Sequence, residues 1–394
     1  MDLKTCVIIG GGYAGIQTIH ALQKLHGKNR GMPKLRIVLI DKNPYHLRKV
    51  LLFKPAARAS DIKIPFAQMF SDQVTLVQGV VTAINAESKC LRYEDVEGCP
   101  QLLNYDVLVV SIGSILQTPP PLQGGVALSD PSAAEMIRER WQENLRMAGE
   151  EPNRAKREQL MTIAVVGAGI SGTETSAELA YSMRKEANNL KLNPSDVRVY
   201  LVNAHERLFM AGPEVVGRRL EKELSRAGVT VLHGCKALYE NNGLLTLTGH
   251  SPIPAGLCVW TIGLLPGPKT QDLGLPLMAE GKVMVDASYR VQGDQDIYSI
   301  GDCANIVDPR TGRRDTMTCK EASGQAIRLA RVIIADLAHR PAPSHKSYMD
   351  IYCFSLGPKR GMVWLRWWGL DMIMTGRIGL KFRQYTWDNA SLIK

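Results

Sequence analysis

The 394-residue sequence has no CxxC pair and no cysteine–histidine spacing that would hold a metal, so no metal site is expected. Its eight cysteines (Cys6, Cys90, Cys99, Cys235, Cys258, Cys303, Cys319 and Cys353) are scattered, which reads as reduced thiols in a cytoplasmic protein. No stretch approaches the roughly 18–20 uncharged apolar residues of a spanning helix. The first strand is expected close behind Met1, with no room for a signal peptide. Low-complexity tracts and polybasic runs are also missing. The net charge of +10 is dispersed, and without a nucleic-acid module it gives no case for a nucleic-acid partner.

What the chain does have is two glycine-rich turns of one design. Gly10, Gly12 and Gly15 lie in CVIIGGGYAG, and Gly167, Gly169 and Gly172 lie in IAVVGAGISG, 157 residues further on. Each follows a short apolar run that reads as a buried strand. In such a strand–turn–helix unit the first glycine permits the tight turn and the second lets backbone approach a pyrophosphate. The third lets the helix pack closely, and its N-terminus offers free N–H groups. Two fingerprints imply two dinucleotides, and so electrons passed from one to the other.

Periodicity predicts a strand at 5–9, a helix at 13–26, and a strand at 35–40 ending in Asp41. That carboxylate falls 26 residues after Gly15, at the ribose-binding position of a dinucleotide fold. Alternating segments at 74–81 and 90–93 read as an antiparallel insertion, and 107–110 as a buried strand running into Ser111-Ile112-Gly113-Ser114. A charged helix and polar connector are expected over 131–160. The second unit reads as strand 163–166, a helix around 174–179, strand 197–202, helix 213–226, strand 229–232 and strand 258–260. A strand at 297–300 and a helix at 321–337 follow. The tail from 341 is rich in aromatics and methionine, with a hairpin signal at 357–361.

Taken in order, the first GGGxxG with Asp41, SIGS, the second GAGxxG, Trp260-Thr261-Ile262-Gly263 and IYSIGDCA resemble the pyridine-nucleotide/disulfide oxidoreductases over about residues 4–340. The disulfide branch of that superfamily has CxxxxC just after the ribose acid; here there is no cysteine between Asp41 and Cys90. DKNPYHLRKVLLFKPAA instead resembles type II NADH:quinone oxidoreductases and their soluble relatives, including ferroptosis-suppressor-like and apoptosis-inducing flavoproteins. The resemblance implies an α/β fold with two Rossmann-like dinucleotide-binding domains and a small α+β C-terminal domain. The FAD domain is expected at 1–115 and 286–340, a connector at 116–160, an inserted NAD(P)H domain at 161–285, and the C-terminal hairpin/helix domain at 341–394.

The resemblance also implies roles. Gly301 and Asp302 would serve the FAD ribityl chain, Asp302 being alternatively a helix N-cap. Ser111, Gly113 and Gly263 would border the cofactors and His46 would lie near FAD. Glu174 would orient the nicotinamide. Asn203 stands where NADH-selective folds carry an acid, which permits NADPH as well as NADH. The quinone reductases carry an AQxAxQ helix; here it reads Lys320-Glu321-Ala322-Ser323-Gly324-Gln325, matching at Gln325 and departing at Lys320 and Glu321. Those two would make the acceptor pocket more polar, or form a surface pair. Trp364, Trp367, Trp368, Met372 and Ile373 with Arg366, Arg377, Lys381 and Arg383 suit a membrane interface, a core or a homodimer contact. The expected activity is hydride transfer from NAD(P)H to FAD, then electron transfer to a quinone-like small molecule, in the cytoplasm or peripherally at the inner membrane face. A soluble reductase serving a partner protein, and a flavin-bound redox sensor, are the alternatives.

Overall fold

The computed structural model describes residues 3–26, 34–70, 73–116 and 123–393. Residues 117–122, in the stretch read as a connector, lie outside them.

Two parallel sheets organise the chain. The first has the order Ile297–Ser299, Val107–Val110, Leu3–Ile9, Lys34–Asp41, Val74–Asn85, Cys90–Asp95, Pro100–Asn104. Its first five strands pair in parallel and the last two return antiparallel. The central parallel strands are buried on both faces at residues 6–9, 37–40 and 107–110, which explains their runs of Val, Ile and Leu. The second sheet has the order Val126–Ala127, Leu257–Trp260, Thr162–Val166, Arg198–Val202, Val229–Leu232, all parallel. Its edge strand thus comes from the stretch expected to be a connector. The fold is α/β with two dinucleotide-binding units and a small C-terminal α+β unit.

The charged segment before the second unit is two helices, Pro131–Glu150 and Arg154–Leu160. Pro152 divides them, because the residue before a proline disfavours helical backbone; Glu151 is extended there. Asp130 and Asn153 cap the two starts by accepting from Ala133 and Lys156 backbone N–H. The first of these helices lies over Phe53–Ala57, where Trp141 Nε1 donates to the Ala56 carbonyl at 3.0 Å. One hydrophobic core therefore runs from Leu51–Ala57 through the second unit to Phe354, Trp364 and Trp387 of the tail.

The two units also meet through a short antiparallel ribbon, Ser114–Leu116 against Leu264–Pro266. These are the segments that follow the SIG and TIG glycines. The tail is a three-stranded antiparallel sheet (Ile351–Ser355, Gly361–Trp367, Leu370–Thr375) followed by the helix Gly376–Ala390. It packs against the Ile170–Asn189 helix behind the second glycine turn.

Candidate active site

The two glycine turns are built alike, atom for atom. Gly10 (φ +97°) backs onto the Ser111 carbonyl and Gly167 (φ +102°) onto the Thr261 carbonyl. A side chain at Gly15 would collide with the Gly10 carbonyl, and one at Gly172 with the Gly167 carbonyl. Gly12 and Gly169, by contrast, have nothing within 4 Å of where a Cβ would stand. Each turn therefore leaves one glycine facing an open cradle at the start of a helix, Tyr13–His26 or Ile170–Asn189. Gly169 at the start of the Ile170–Asn189 helix has no side chain to cap it, and among the described residues no other side chain does so, which leaves the first N–H groups for an anion.

Ser111 and Thr261 hold these turns from behind. Ser111 Oγ lies 2.9 Å from the Ile9 carbonyl and 3.1 Å from that of Gly10; Thr261 Oγ1 lies 2.8 and 2.9 Å from those of Val166 and Gly167. Ser111 thus spends its hydroxyl proton on supporting the turn. Gly113 (φ +70°) and Gly263 (φ +99°) follow these residues, each with open space where a Cβ would be.

The two residues expected at the riboses, Asp41 and Asn203, differ in their surroundings. Asp41 accepts from Gly11 N–H at 2.7 Å and Asn43 N–H at 2.8 Å, tying its strand end to the glycine turn. Burial pushes its carboxyl pKa up, against the pull of these two N–H groups and nearby Lys42. Asn203 is buried and spends its amide on its own loop. Nδ2 approaches the His205 and Arg207 carbonyls at 2.9 and 3.0 Å and His233 Nδ1 at 3.0 Å, while Oδ1 accepts from His205 N–H at 3.3 Å. Arg207 is also committed, donating to the Phe209 and Gly212 carbonyls at 3.0 Å.

His46 is fully buried beside Tyr13, ring edge to ring face. Its Nδ1 lies 2.9 Å from the Gly11 carbonyl, which can only accept, so the proton is on Nδ1. Nε2 then carries a lone pair with no protein partner among the described residues. Asp302 Oδ2 accepts from Ser114 Oγ at 2.7 Å, and Lys49 Nζ donates to the Ser114 carbonyl at 2.7 Å. Burial lowers the Lys49 pKa while Asp302 raises it. Asp302 is not a helix cap: Thr318 caps the next helix, Cys319–Leu337.

The family model described as pyridine nucleotide-disulphide oxidoreductase matches residues 4–326. The chain belongs to this family. It is 28% identical over 374 residues to a type II NADH:quinone oxidoreductase of Haemophilus influenzae, covering 87% of this chain and 83% of that one. It is 25% identical over 310 residues to NADH dehydrogenase-like protein YutJ of Bacillus subtilis, covering 77% and 78%. Its fold resembles that of NDH2 from Plasmodium falciparum solved with NADH, with a TM-score of 0.80, 16% identity, and 98% and 94% of the chains covered. As a member of this family the chain is an oxidoreductase enzyme, and all eight of its cysteines are free.

In this oxidoreductase the remaining expected residues have specific partners. Glu174 is buried and paired through both oxygens with Arg383, at 2.9 and 3.0 Å, and it accepts the Ser355 N–H at 2.8 Å. Burial pulls the Arg383 pKa down, but Glu174 more than reverses this and holds it above the ordinary value. Glu178, one turn on, is buried 3.1 Å from Arg58.

Glu321 is a capping residue, not a surface charge. Its carboxylate accepts from the backbone N–H groups of Thr316 and Thr318, both at 3.0 Å, completing a capping box with Thr318. Lys320 turns to the C-terminal sheet, donating to the Ile351 carbonyl at 2.9 Å and lying over the Tyr352 ring. Burial lowers its pKa. Gln325 receives Gly301 N–H at 2.8 Å and donates to Asp315 at 2.7 Å, so neither end of its amide is free. Gly301, Asp302, Asp315, Glu321 and Gln325 do line one small cavity together; Lys320 does not join them.

The aromatic tail divides. Trp364 is core, packed with Phe209 and Tyr352, and Arg383 is buried. Trp367, Trp368, Leu370, Met372, Ile378 and Tyr385 are exposed. Sequence reasoning missed Arg383 as the partner of Glu174. The signal was present: Leu380, Arg383 and Trp387 share one helical face, and a charge on an apolar stripe needs a buried counter-charge.

Proposed function

We propose that this enzyme is a FAD-dependent NADH dehydrogenase that delivers electrons to a quinone-like acceptor. The reading rests above all on the duplicated cradle: Gly12 and Gly169 face open space at two helix starts of identical construction in one chain. The residues present fit a flavin nucleotide in the first cradle. Gly12 leaves room for a pyrophosphate, Asp41 stands at the ribose position, and buried His46 keeps an unpartnered Nε2 nearby. Asp302 and Gly301 would hold the ribityl end. Bound FAD would supply the carrier that takes hydride from NADH and returns electrons to the acceptor.

The protein's own contribution is placement and exclusion of water. Gly169 and the free N–H groups behind it would take the NADH pyrophosphate. Arg207 turns both Nη atoms to backbone carbonyls of its own loop rather than outward to a 2′-phosphate, which supports NADH over NADPH. Glu174 and Arg383 would close one wall of the site by tying the C-terminal helix to the helix of the second cradle. The relatives named for quinone reduction support the acceptor class.

We place the acceptor entry at a membrane surface on the cytoplasmic side. No described helix is long and apolar enough to cross a membrane. The exposed Trp367, Trp368, Leu370 and Ile378 beside Arg377 and Lys381 suit the interface instead. The test is a screen of the purified protein with NADH and NADPH against short-chain quinones, ferricyanide and oxygen. Fast flavin reduction by NADH and fast reoxidation by quinone support the proposal; reduction without a fast acceptor would point to a sensor.

A further inference from the structure

Beneath the Gly301–Asp302 turn runs a buried chain of hydrogen bonds that the reaction itself does not call for. It joins Tyr289, His345, Asp315 and Gln325 to the Gly301 peptide. Tyr289, His345 and Gln325 are each at most 2% exposed, and the Asp315 side chain is 7% exposed. His345 comes from the irregular segment between the Cys319–Leu337 helix and the C-terminal sheet, and Asp315 from the loop before that helix. Segments distant in sequence thus converge on one backbone N–H.

The chain has only one allowed direction. Arg328 can only donate, and its Nη1 lies 3.3 Å from both Tyr289 Oη and His345 Nδ1, so both atoms present lone pairs to it. Tyr289 then donates to His345 Nδ1 at 2.8 Å, leaving the imidazole proton on Nε2. Nε2 faces Asp315 Oδ1 at 3.3 Å, and Gln325 Nε2 donates to Asp315 Oδ2 at 2.7 Å. With its N–H₂ end committed to a carboxylate, Gln325 must turn its oxygen to Gly301 N–H, at 2.8 Å. Gly301 has φ +78°, and a Cβ there would stand 3.1 Å from Ala14 Cβ on the first cradle's helix. The turn is therefore fixed from both sides, and Asp302 is the next residue.

We propose that His345 and Asp315 are positioning residues for the cofactor turn, acting through Gln325 to orient the Gly301 peptide and so aim Asp302 at the flavin nucleotide. The proposal rests on the reading of Asp302 as a flavin ligand. What it adds is that the polarity of the chain, not merely its presence, sets cofactor affinity. A buried polar chain satisfied throughout specifies one geometry, and one reversed link sets donor against donor or acceptor against acceptor.

Polarity can be tested by exchange. Gln325→Glu faces a carboxylate with Asp315, and Asp315→Asn faces an amide N–H₂ with the N–H of His345 or of Gln325. Each alone should raise the FAD dissociation constant at least tenfold, measured by flavin fluorescence on dilution of the holoprotein. Combining them restores the order: the carboxylate at 325 accepts from Gly301 and from the amide at 315, whose oxygen accepts from His345. The double variant, with native net charge, should return to within about threefold of the native constant. Unchanged affinity in both single variants overturns the proposal. So does a double variant that recovers thermal stability but not affinity, since that is what a purely structural role predicts. If Gln325→Glu does not fold, Asp315→Asn and the double variant decide the matter alone. Absence of FAD from the unaltered protein would overturn the functional reading, and this proposal with it.

Discussion

Glu174 and Arg383, 209 residues apart, form a two-point ion pair buried between the second cradle's helix and the C-terminal helix. Removing one partner strands the other charge in the core. Arg383→Leu and Glu174→Leu should each cost about 3–5 kcal/mol in urea unfolding, and the double variant much less than their sum. Additive costs would mean that the two side chains are not energetically coupled.

His46 should make the protein acid-sensitive. Burial, with a smaller contribution from Arg48, drives its pKa down to about 4 against the opposing Gly11 carbonyl. Above pH 6.5 both folded and unfolded states hold it neutral and its stability contribution is complete. Between 6.5 and 4 the unfolded chain takes up a proton that the folded one refuses, so stability falls. About 2–3 kcal/mol should be lost between pH 7 and 4.5. His46→Phe should show a pH–stability curve flatter by that amount in denaturant titrations; parallel curves would show that His46 titrates normally.

Turnover should need no thiol. Burial raises the thiol pKa of both Cys303 and Cys319, which keeps them protonated and poorly nucleophilic. Cys303→Ser with Cys319→Ser should keep most NADH oxidation. Near-complete loss with flavin still bound would reveal a sulfur step.

The two cradles should fail separately. Because nothing lies within 4 Å of a Cβ at Gly12 or Gly169, valine at either is tolerated by the fold and fills the space meant for ligand. Gly12→Val should fold, shown by far-UV circular dichroism, yet purify colourless. Gly169→Val should stay yellow while its Kd for NADH rises at least a hundredfold. Loss of flavin in both would show that the cradles are not independent sites.

The cradles were legible in the sequence because a tight turn is local chemistry: its glycines and the strand before it occupy about ten residues. Asp41 and the order of strands followed from the same local period. Long-range partnerships were not legible. Nothing in Gln325 announces that its amide will be spent on Gly301 and Asp315, or in Asn203 that its loop will claim it. Glu321 is a different case, since Thr318-Cys319-Lys320-Glu321 spells a capping box in the sequence itself, and Glu321 both caps the helix and lines the cavity. The tail tryptophans divided for a reason that composition conceals: Trp364 lies against Phe209 of the second unit, while Trp367 and Trp368 sit at the far end of the hairpin.

The central claim is that two nucleotide sites in one chain pass electrons in sequence, and anaerobic stopped-flow absorbance tests it most directly. Mixing the purified protein with NADH should bleach the flavin band in a rapid single step, and a second mix with a short-chain quinone should restore it fully. A flavin band that NADH leaves unchanged, in protein shown to be folded and loaded with FAD, would contradict the account.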